Sequence, residues 1–341
     1  MKETTQALLR VEGLKVHFPL TKGITRKQIG YVRAVDDVSF SVQRGKTLGI
    51  VGESGCGKTT TGKAILRMVQ ATDGGIFFEG RDVLSLSTAE HNKIKRKIQM
   101  IFQDPYGSLD PRQTAASIIR EILAEDEKKR PAREIADRAN ELLEMVGLSA
   151  EIGARYPHEM SGGQRQRVGI ARALACDPEL IFCDEPVSAL DVSIQAQIIN
   201  LLTKLQRELG LTFLFIAHDL AVVRHIADEV CVMYLGKIVE RMNAGDMYKN
   251  PLHPYTKALL SAIPVVDYQV EQERERIALT GEVPSPINFP TGCPFQPRCP
   301  YATGECRAEM PALRPAGDGH SVACYHFERI QSGLANADTN D

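Results

Sequence analysis

Residues 52–59 read Gly-Glu-Ser-Gly-Cys-Gly-Lys-Thr and satisfy the phosphate-loop pattern G-x-x-x-x-G-K-[ST] at every fixed position. The apolar residues 47–51 before this phosphate loop predict a buried strand, and residues 60–70 after it have helical spacing. Glycines allow successive backbone N–H groups to point at one anion, and the helix start adds its positive dipole end. A chance glycine-rich turn would lack this strand-loop-helix context. The stretch therefore predicts binding of a nucleoside triphosphate.

The side chains of the phosphate loop are the first candidate ligands. Lys58 is expected to reach the β- and γ-phosphates, and the Thr59 hydroxyl is expected to ligate Mg²⁺. Phe18, near the end of the first predicted strand, is either an aromatic that stacks on adenine or a residue of the core or hairpin. The other expected ATP-binding positions of the loop are Gly52, Ser54, Gly55, Cys56, Gly57 and Thr60.

The bulk composition is that of an ordinary globular protein. The 341 residues are 43% hydrophobic and 25% charged, and 41 basic residues against 43 acidic ones leave almost no net charge. This balance gives no support for a nucleic-acid partner. The sequence has neither an apolar run of membrane-spanning length nor a secretory signal at its N-terminus, so we expect a cytosolic protein that reaches a membrane through partners.

The order of predicted elements indicates an α/β core. Residues 8–51 are β-rich, with a polar hairpin loop predicted at 21–30. Further strands are predicted at 98–103, 180–184 and 212–217, and a strand pair at 230–239. Residues from about 104 to 165 have helical periodicity and form a predicted helical insert. We predict a nucleotide-binding domain over residues 1–250 and an irregular extension over residues 251–341.

Polar residues follow the predicted core strands. Asp184 at a strand end can hold Mg²⁺, and the adjacent Glu185 can accept a proton from an attacking water. His218, after the next strand, can hydrogen-bond a γ-phosphate. Two acids could instead open a helix, and a lone histidine is more often structural. The phosphate loop favours the functional interpretation, because ligands bind at the carboxyl ends of parallel strands.

A second candidate anion site precedes a predicted helix. Residues 161–164 read Ser-Gly-Gly-Gln, in which Ser161 can cap the helix while Gly162 and Gly163 leave its first N–H groups open. Such a helix start can bind phosphate. Taken alone, the tetrapeptide is only a turn and a cap.

Together these motifs resemble those of the ATP-binding cassette (ABC) ATPases. Met160 departs slightly from the signature of that family, which usually has Leu there, and Met has similar bulk. The matching segments are residues 52–59 (Walker A), Gln103 (Q-loop), Met160–Gln164 (signature), Ile181–Glu185 (Walker B), Ser188–Asp191 (D-loop) and His218 (switch histidine). The resemblance implies a P-loop NTPase with a RecA-like core, an antiparallel β subdomain and a helical insert.

The resemblance also implies a division of roles. Glu185, His218 and Gln103 are the implied catalytic residues, and Thr59, Gln103 and Asp184 the implied Mg²⁺ ligands. The family works as a head-to-tail pair of nucleotide domains, in which Ser161, Gly162, Gly163 and Gln164 of one subunit complete the ATP site of the other. Asp191 belongs to the implied D-loop.

Two longer stretches narrow the resemblance to one branch of the ABC ATPases. Residues 171–202 and residues 250–264, which include His253-Pro254-Tyr255, are similar to the peptide and nickel importer branch, and most similar to the second ATPase of dipeptide and oligopeptide permeases. This implies a peripheral subunit on the cytoplasmic face of the inner membrane that powers uptake of dipeptides or short peptides. The implied partners are a second ATPase, two transmembrane permease subunits and an extracytoplasmic peptide-binding protein.

Other functions remain open or are disfavoured at this point. An importer for nickel, glutathione or another solute would share every motor residue. Soluble ABC ATPases of DNA repair or translation usually carry two cassettes or a coiled-coil insertion, and this chain has neither. P-loop kinases need neither the Ser-Gly-Gly-Gln motif nor the switch histidine.

Four of the eight cysteines lie in the last fifty residues, at Cys293, Cys299, Cys306 and Cys324. Their spacing, C-x5-C-x6-C-x17-C, fits none of the common C-x2-C zinc patterns, but four thiolates can hold either Zn²⁺ or an iron–sulfur cluster. The permease resemblance implies a structural [4Fe–4S] cluster. Zinc and an empty or oxidised site are the alternatives.

Overall fold

The computed structural model describes residues 7–23, 27–125, 131–263, 277, 279, 281–317 and 319–332. The strands in these ranges are β1 (Leu9–Lys22), β2 (Lys27–Val42), β3 (Thr47–Val51), β4 (Asp73–Phe78), β5 (Arg81–Asp82), β6 (Ile98–Ile101), β7 (Leu180–Asp184), β8 (Thr212–Ala217), β9 (Glu229–Tyr234), β10 (Lys237–Asn243), β11 (Arg314–Gly317) and β12 (His320–Val322).

The same ranges also contain α-helices. They are α1 (Lys58–Ile65), α2 (Thr88–Lys97), α3 (Ala115–Ala124), α4 (Ala132–Met145), α5 (Ala150–Gly153), α6 (Gly162–Leu174), α7 (Val192–Leu209), α8 (Leu220–Ile226), α9 (Pro254–Ser261), α10 (Gly304–Ala308) and α11 (Phe327–Gln331). No helix within the described ranges is both long and apolar enough to cross a membrane.

The chain divides into two compact units. The first comprises Met1–Leu8, Val42–Thr47 and Ser85–Ala217, and the second comprises Leu9–Ser41, Leu48–Leu84 and His218–Asp341. This division does not coincide with the predicted domain boundary at residue 250, which stays a prediction.

The first unit is built on parallel strands. β6 pairs with β7 and β7 pairs with β8, all in parallel, and every residue of β7 and β8 is buried. The predicted helical insert is present as α3, α4 and α5, which contact one another, and α3 and α4 also contact α6. Their buried apolar residues recur at helical spacing, for example Ile118, Ile119 and Leu123 on α3.

The second unit contains four strands paired in the order β2-β1-β4-β5, and the β1–β4 and β4–β5 pairs are antiparallel. The predicted hairpin loop at residues 21–30 is wrong in length, because β1 extends to Lys22 and β2 begins at Lys27. Residues 24–26 lie outside the described residues. Exposed strands tolerate polar side chains on both faces, so the polar residues of this stretch did not mark the ends of the strands.

The remaining strands of the second unit pair in a series that begins with β3, the strand before the phosphate loop. β3 pairs with β9 in parallel, and β9 and β10 form an antiparallel pair, as predicted for residues 230–239. β10 then pairs with β12, and β12 with β11, both antiparallel. The C-terminal part of the chain therefore continues the strand pairing that begins at β3.

A buried carboxylate fastens this C-terminal part to β10. Glu240 is fully buried and accepts hydrogen bonds from the backbone N–H groups of Leu252 (2.7 Å) and His253 (3.1 Å). Its Oε1 also lies 2.8 Å from Nε2 of His320 on β12. Each polar atom in this network would be costly to bury alone, so the network fixes where residues 252, 253 and 320 lie.

His253 makes the stability of this region depend on pH. Its Nδ1 accepts a hydrogen bond from the Tyr255 N–H and so caps α9, and complete burial lowers the pKa of His253 from 6.5 to about 4. Because the folded state binds this proton less tightly than the unfolded state, the stabilisation is complete above pH 6.5 and is lost as the pH falls towards 4.

We therefore expect the free energy of unfolding to fall by up to about 3 kcal/mol over this pH range through His253 alone. Urea unfolding at pH 7.5 and at pH 4.5 measures this effect. Other groups titrate in the same range, so the matched variant is His253→Asn, which keeps a cap acceptor and does not titrate. An equal pH dependence in the two proteins would contradict the assignment to His253.

Candidate active site

The phosphate loop lies in the second unit, and two of its glycines are required by close backbone approaches. Gly52 has φ of 152°, and a Cβ there would lie 2.1 Å from the Met233 carbonyl oxygen. Gly57 has φ of 105°, and a Cβ there would lie 2.1 Å from the Ala34 carbonyl oxygen. Gly57 is also the N-cap of α1 and has no side chain with which to cap that helix. The start of a helix such as α1 can bind an anion through its first N–H groups.

Lys58 folds back over the phosphate loop. Its side chain is 4% exposed, and its Nζ donates to the carbonyl oxygens of Gly52 (2.7 Å) and Glu53 (3.0 Å). Cys56 Sγ lies 3.8 Å from the same nitrogen, and burial raises the pKa of the Cys56 thiol, which keeps it protonated. The Lys58 ammonium group therefore lies against the phosphate loop, where two backbone carbonyl oxygens accept its hydrogen bonds.

The other predicted residues of the second unit lie at varied depths. Ser54 and Gly55 are exposed, and Thr59 and Thr60 are partly buried. Phe18 on β1 is 40% exposed and so does not lie in the core, whereas stacking on adenine and the hairpin alternative both stay predictions. His218 is exposed and precedes Asp219, which caps α8 by accepting from the Ala221 N–H.

In the first unit, the structure brings Gln103 and Glu185 together. The Gln103 Nε2 donates to Glu185 Oε2 at 3.0 Å. Glu185 directly follows β7, has φ of 45°, and donates its backbone N–H to the Ile216 carbonyl oxygen at 3.0 Å. A non-glycine residue with positive φ is uncommon and is typical of functional positions. Asp184, the last residue of β7, is 4% exposed.

The Ser-Gly-Gly-Gln tetrapeptide forms the predicted helix start. Ser161 Oγ accepts from the Gln164 N–H (3.3 Å), and Gln164 Oε1 accepts from the Ser161 N–H (3.0 Å), which is a complete capping box for α6. A Cβ on Gly163 would lie 2.7 Å from a methyl group of Ile194 on α7. Glycine at this position lets the start of α6 approach α7 closely.

Asp191 also caps a helix. Its carboxylate accepts from the Ile194 N–H (3.0 Å) and from the Ser193 hydroxyl (2.7 Å) at the start of α7. These hydrogen bonds lower the pKa of Asp191, so the carboxylate stays charged at the positive end of the helix dipole.

The four C-terminal cysteines line one cavity in the second unit. This four-cysteine cavity has a volume of about 20 Å³. All four are free thiols, and burial raises the pKa of Cys293 to about 11 and that of Cys299 to about 12. Within the described ranges, however, no three His, Cys, Asp or Glu side chains are arranged to hold a metal ion. The predicted cluster is therefore not confirmed.

Sequence reasoning missed two residues that contact the phosphate loop from the C-terminal part of the chain. Arg298 pairs with the Glu53 carboxylate, and the Tyr255 hydroxyl accepts from the Glu53 N–H at 2.8 Å. The signal in the sequence is Glu53 itself, an acidic residue inside a loop expected to bind an anion, because a nearby cation would favour its charged form. The sequence did not indicate which cation.

Comparison with known proteins identifies the family. The profile described as ABC transporter matches residues 35–188, and the profile described as oligopeptide/dipeptide transporter, C-terminal region, matches residues 239–306. The oligopeptide transport ATP-binding protein AppF of Bacillus subtilis is 52% identical over 323 residues, which cover 94% of this chain and 98% of AppF. The chain belongs to the family of ABC transporter ATP-binding proteins.

Two further ABC proteins support this membership. The dipeptide transport ATP-binding protein DppF of Haemophilus influenzae is 49% identical over 328 residues, 96% of this chain and 99% of DppF. A bacterial ABC transporter cassette solved as a dimer matches with a TM-score of 0.62 and 28% identity, over 69% of this chain and 98% of the cassette. The predicted ABC-type P-loop fold is confirmed, and with it the prediction of an ATPase.

Proposed function

We propose that this ABC protein is the ATP-hydrolysing subunit of an importer for dipeptides or other short peptides. The observation that carries the proposal is the phosphate loop, whose glycine-dependent backbone precedes the start of α1 in a chain that resembles peptide-transport ATPases along almost its whole length. Nothing in the chain itself selects the solute, because the motor residues serve any importer of this branch.

In the second unit, the phosphate loop is the proposed site for the triphosphate. Lys58 would exchange its loop carbonyl partners for the β- and γ-phosphates, and the Thr59 hydroxyl is a proposed Mg²⁺ ligand. Phe18, with an accessible ring, is the proposed adenine-stacking residue. His218 is the proposed hydrogen-bond donor to the γ-phosphate.

In the first unit, the Gln103–Glu185 pair supplies the proposed hydrolytic chemistry. Glu185 would accept a proton from the attacking water, and the amide of Gln103, 3.0 Å away, holds the carboxylate in one orientation. Asp184 and Gln103 are the proposed oxygen donors to Mg²⁺. When bound, the ion would neutralise charge that develops on the phosphate oxygens.

The start of α6 is proposed to act on a partner's nucleotide. Its capping box uses the Gln164 N–H, while Gly162 and Gly163 carry no side chain that could cover the other N–H groups. A second ATPase, arranged head to tail, would present its nucleotide there. We further propose two transmembrane permease subunits and an extracytoplasmic peptide-binding protein as partners, which places the chain at the cytoplasmic face of the membrane.

Transport-coupled hydrolysis tests the assignment. The intact complex, purified with its partner subunits and reconstituted in vesicles, is expected to hydrolyse ATP faster when the peptide-loaded binding protein is added. The control is the same binding protein without peptide. Stimulation by nickel or glutathione but not by peptides would overturn the peptide assignment and leave the motor assignment intact.

We also propose that the four-cysteine cavity holds a [4Fe–4S] cluster, with Zn²⁺ as the alternative. The support for this proposal is that four cysteine thiols line one cavity, and the side chains would have to move from their positions in this structure to coordinate a metal. Cys293, Cys299, Cys306 and Cys324 would be the ligands, and the role would be to crosslink a segment with little core of its own.

Metal analysis of anaerobically purified protein tests this second proposal. We expect brown protein with about four iron atoms per chain. Substituting Cys299 with Ser is expected to remove the iron and the colour, whereas Cys176→Ser, outside the cavity, should leave both unchanged. Colourless protein with one zinc per chain would favour the alternative, and protein with neither metal would overturn both.

A further inference from the structure

A buried ion pair links the phosphate loop to the C-terminal part of the second unit. Arg298 donates from Nη1 to Glu53 Oε2 (2.8 Å) and from Nη2 to Glu53 Oε1 (3.1 Å), so the contact is bidentate. The Arg298 side chain is 7% exposed, while that of Glu53 is 26% exposed. A bidentate pair of this kind is more directional than a single-contact surface ion pair, and it fixes the orientation of both side chains.

The partners of Arg298 on the other side are aromatic. Its Nη1 lies 3.4 Å from the Tyr234 hydroxyl, and Tyr234 contacts Tyr255 and Phe295 edge-on. Phe295 lines the four-cysteine cavity, and Arg298 immediately precedes Cys299 in the chain. The guanidinium therefore lies in a buried, largely aromatic setting that belongs to the C-terminal part of the chain.

Tyr255 adds a second contact between the same two segments. Its hydroxyl accepts from the Glu53 backbone N–H at 2.8 Å, and its ring is fully buried. Both the side chain and the backbone of Glu53 are thus held by residues more than 200 positions later in the sequence. This leaves Glu53 little freedom to move.

Because the Glu53 carboxylate is negative, its ion pair with Arg298 affects the binding of phosphate groups. An ionised carboxylate in a loop that cradles phosphates repels them, and the repulsion is strong where water is partly excluded. The bidentate guanidinium compensates that charge. Without Arg298 the loop would present a negative charge to an anionic ligand and would lose the contact that orients its second residue.

We propose that Arg298 is a positioning residue for nucleotide binding, which neutralises Glu53 and thereby sets the affinity of the phosphate loop for ATP. The inference rests on the proposed function of residues 52–59 as the phosphate site. It assigns to the C-terminal part of the chain an influence on the nucleotide that acts through Glu53 and is separate from any group in the four-cysteine cavity.

The test compares two single variants, of which only Arg298→Met should weaken ATP binding. Equilibrium dialysis of the full-length chain with a non-hydrolysable ATP analogue gives Kd. Arg298→Met, which leaves Glu53 uncompensated, is expected to raise Kd by about tenfold. Glu53→Gln keeps an acceptor for Arg298 but removes the negative charge, and is expected to leave Kd unchanged or lower it. The double variant Glu53→Gln/Arg298→Met is expected to return Kd to within about threefold of the original value.

A matched control separates this role from general stability. Arg314 also belongs to the C-terminal part, where its Nη2 donates to the carbonyl oxygens of Cys324 and Tyr325, but no contact joins it to the phosphate loop within the described ranges. Arg314→Met is expected to leave Kd unchanged. If Arg298→Met does not fold, Glu53→Gln and the double variant still decide the question. An ion pair that only stabilised the fold would predict weaker ATP binding by Glu53→Gln, whereas the proposed role predicts binding that is unchanged or stronger.

Failure of this inference and failure of the proposed phosphate site give different results. If Lys58→Ala leaves Kd unchanged, the proposed phosphate site itself is wrong. If Lys58→Ala abolishes binding while folded Arg298→Met binds within twofold of the original protein, only the role of Arg298 is overturned. That role is also overturned if Glu53→Gln weakens binding as much as Arg298→Met does.

Discussion

Replacing Glu185 with Gln is expected to lower the ATP turnover of the assembled complex by about 10²- to 10⁴-fold while ATP binding is preserved. Glutamine is isosteric with glutamate and retains an oxygen that can accept from Gln103, which lies 3.0 Å from the carboxylate in the native protein. The substitution therefore removes the proposed general base and keeps a contact with Gln103. Turnover is measured as phosphate release, and binding as nucleotide retained on the complex.

Glu208→Gln is the matched control for this variant. Glu208 is also a glutamate of the first unit, but it is half-exposed on α7 and its pairing distance to Lys204 is 3.8 Å. Such surface pairs contribute little, so turnover should not change. A Glu185→Gln complex that hydrolyses ATP at the native rate would show that the base is another residue.

Replacing Gly57 with Ala is expected to remove detectable ATP binding and to lower the free energy of unfolding by about 2–4 kcal/mol. The new Cβ would lie 2.1 Å from the Ala34 carbonyl oxygen and 2.9 Å from Met233 Cε, so backbone must shift. The φ of 105° is itself unfavourable for alanine. The clash and the unfavourable φ both occur where α1 begins. Together they would displace the N–H groups proposed to hold phosphate.

Gly55→Ala separates the unfavourable φ from the steric clash within the same loop. Gly55 also has positive φ, at 80°, but a Cβ there meets nothing within 4 Å. We expect a loss of only about 1–2 kcal/mol from backbone strain. Urea unfolding of the two variants, without nucleotide, gives the comparison. Equal destabilisation would indicate that the close approach to Ala34 has no energetic consequence.

The features that the sequence predicted correctly are those encoded by neighbouring residues. The phosphate loop depends on glycines that reach positive φ, and the start of α6 depends on Ser161 and Gln164, which are three residues apart. The buried strands β7 and β8 are apolar except for Asp184 at the end of β7 and Thr212 at the start of β8. In each case one local pattern determines the backbone, so the neighbouring residues are sufficient to predict it.

The features that the sequence did not predict depend on distant partners. Nothing near Glu53 indicates that its cation is Arg298, and nothing near Glu240 indicates that it accepts hydrogen bonds from residues 252 and 253 and meets His320. The length of the first hairpin was missed because its strands continue through polar residues. Side-chain pairing across the fold leaves no periodic trace in the chain.

The Glu53–Arg298 pair also constrains how this chain can vary in evolution. The two positions are 245 residues apart, yet a change at either one leaves a charge in a largely buried setting without its counterion. Substitutions at the two sites should therefore be inherited together. A reading frame that ended before codon 298 would still contain every nucleotide-binding motif, but its product would lack the guanidinium that compensates Glu53.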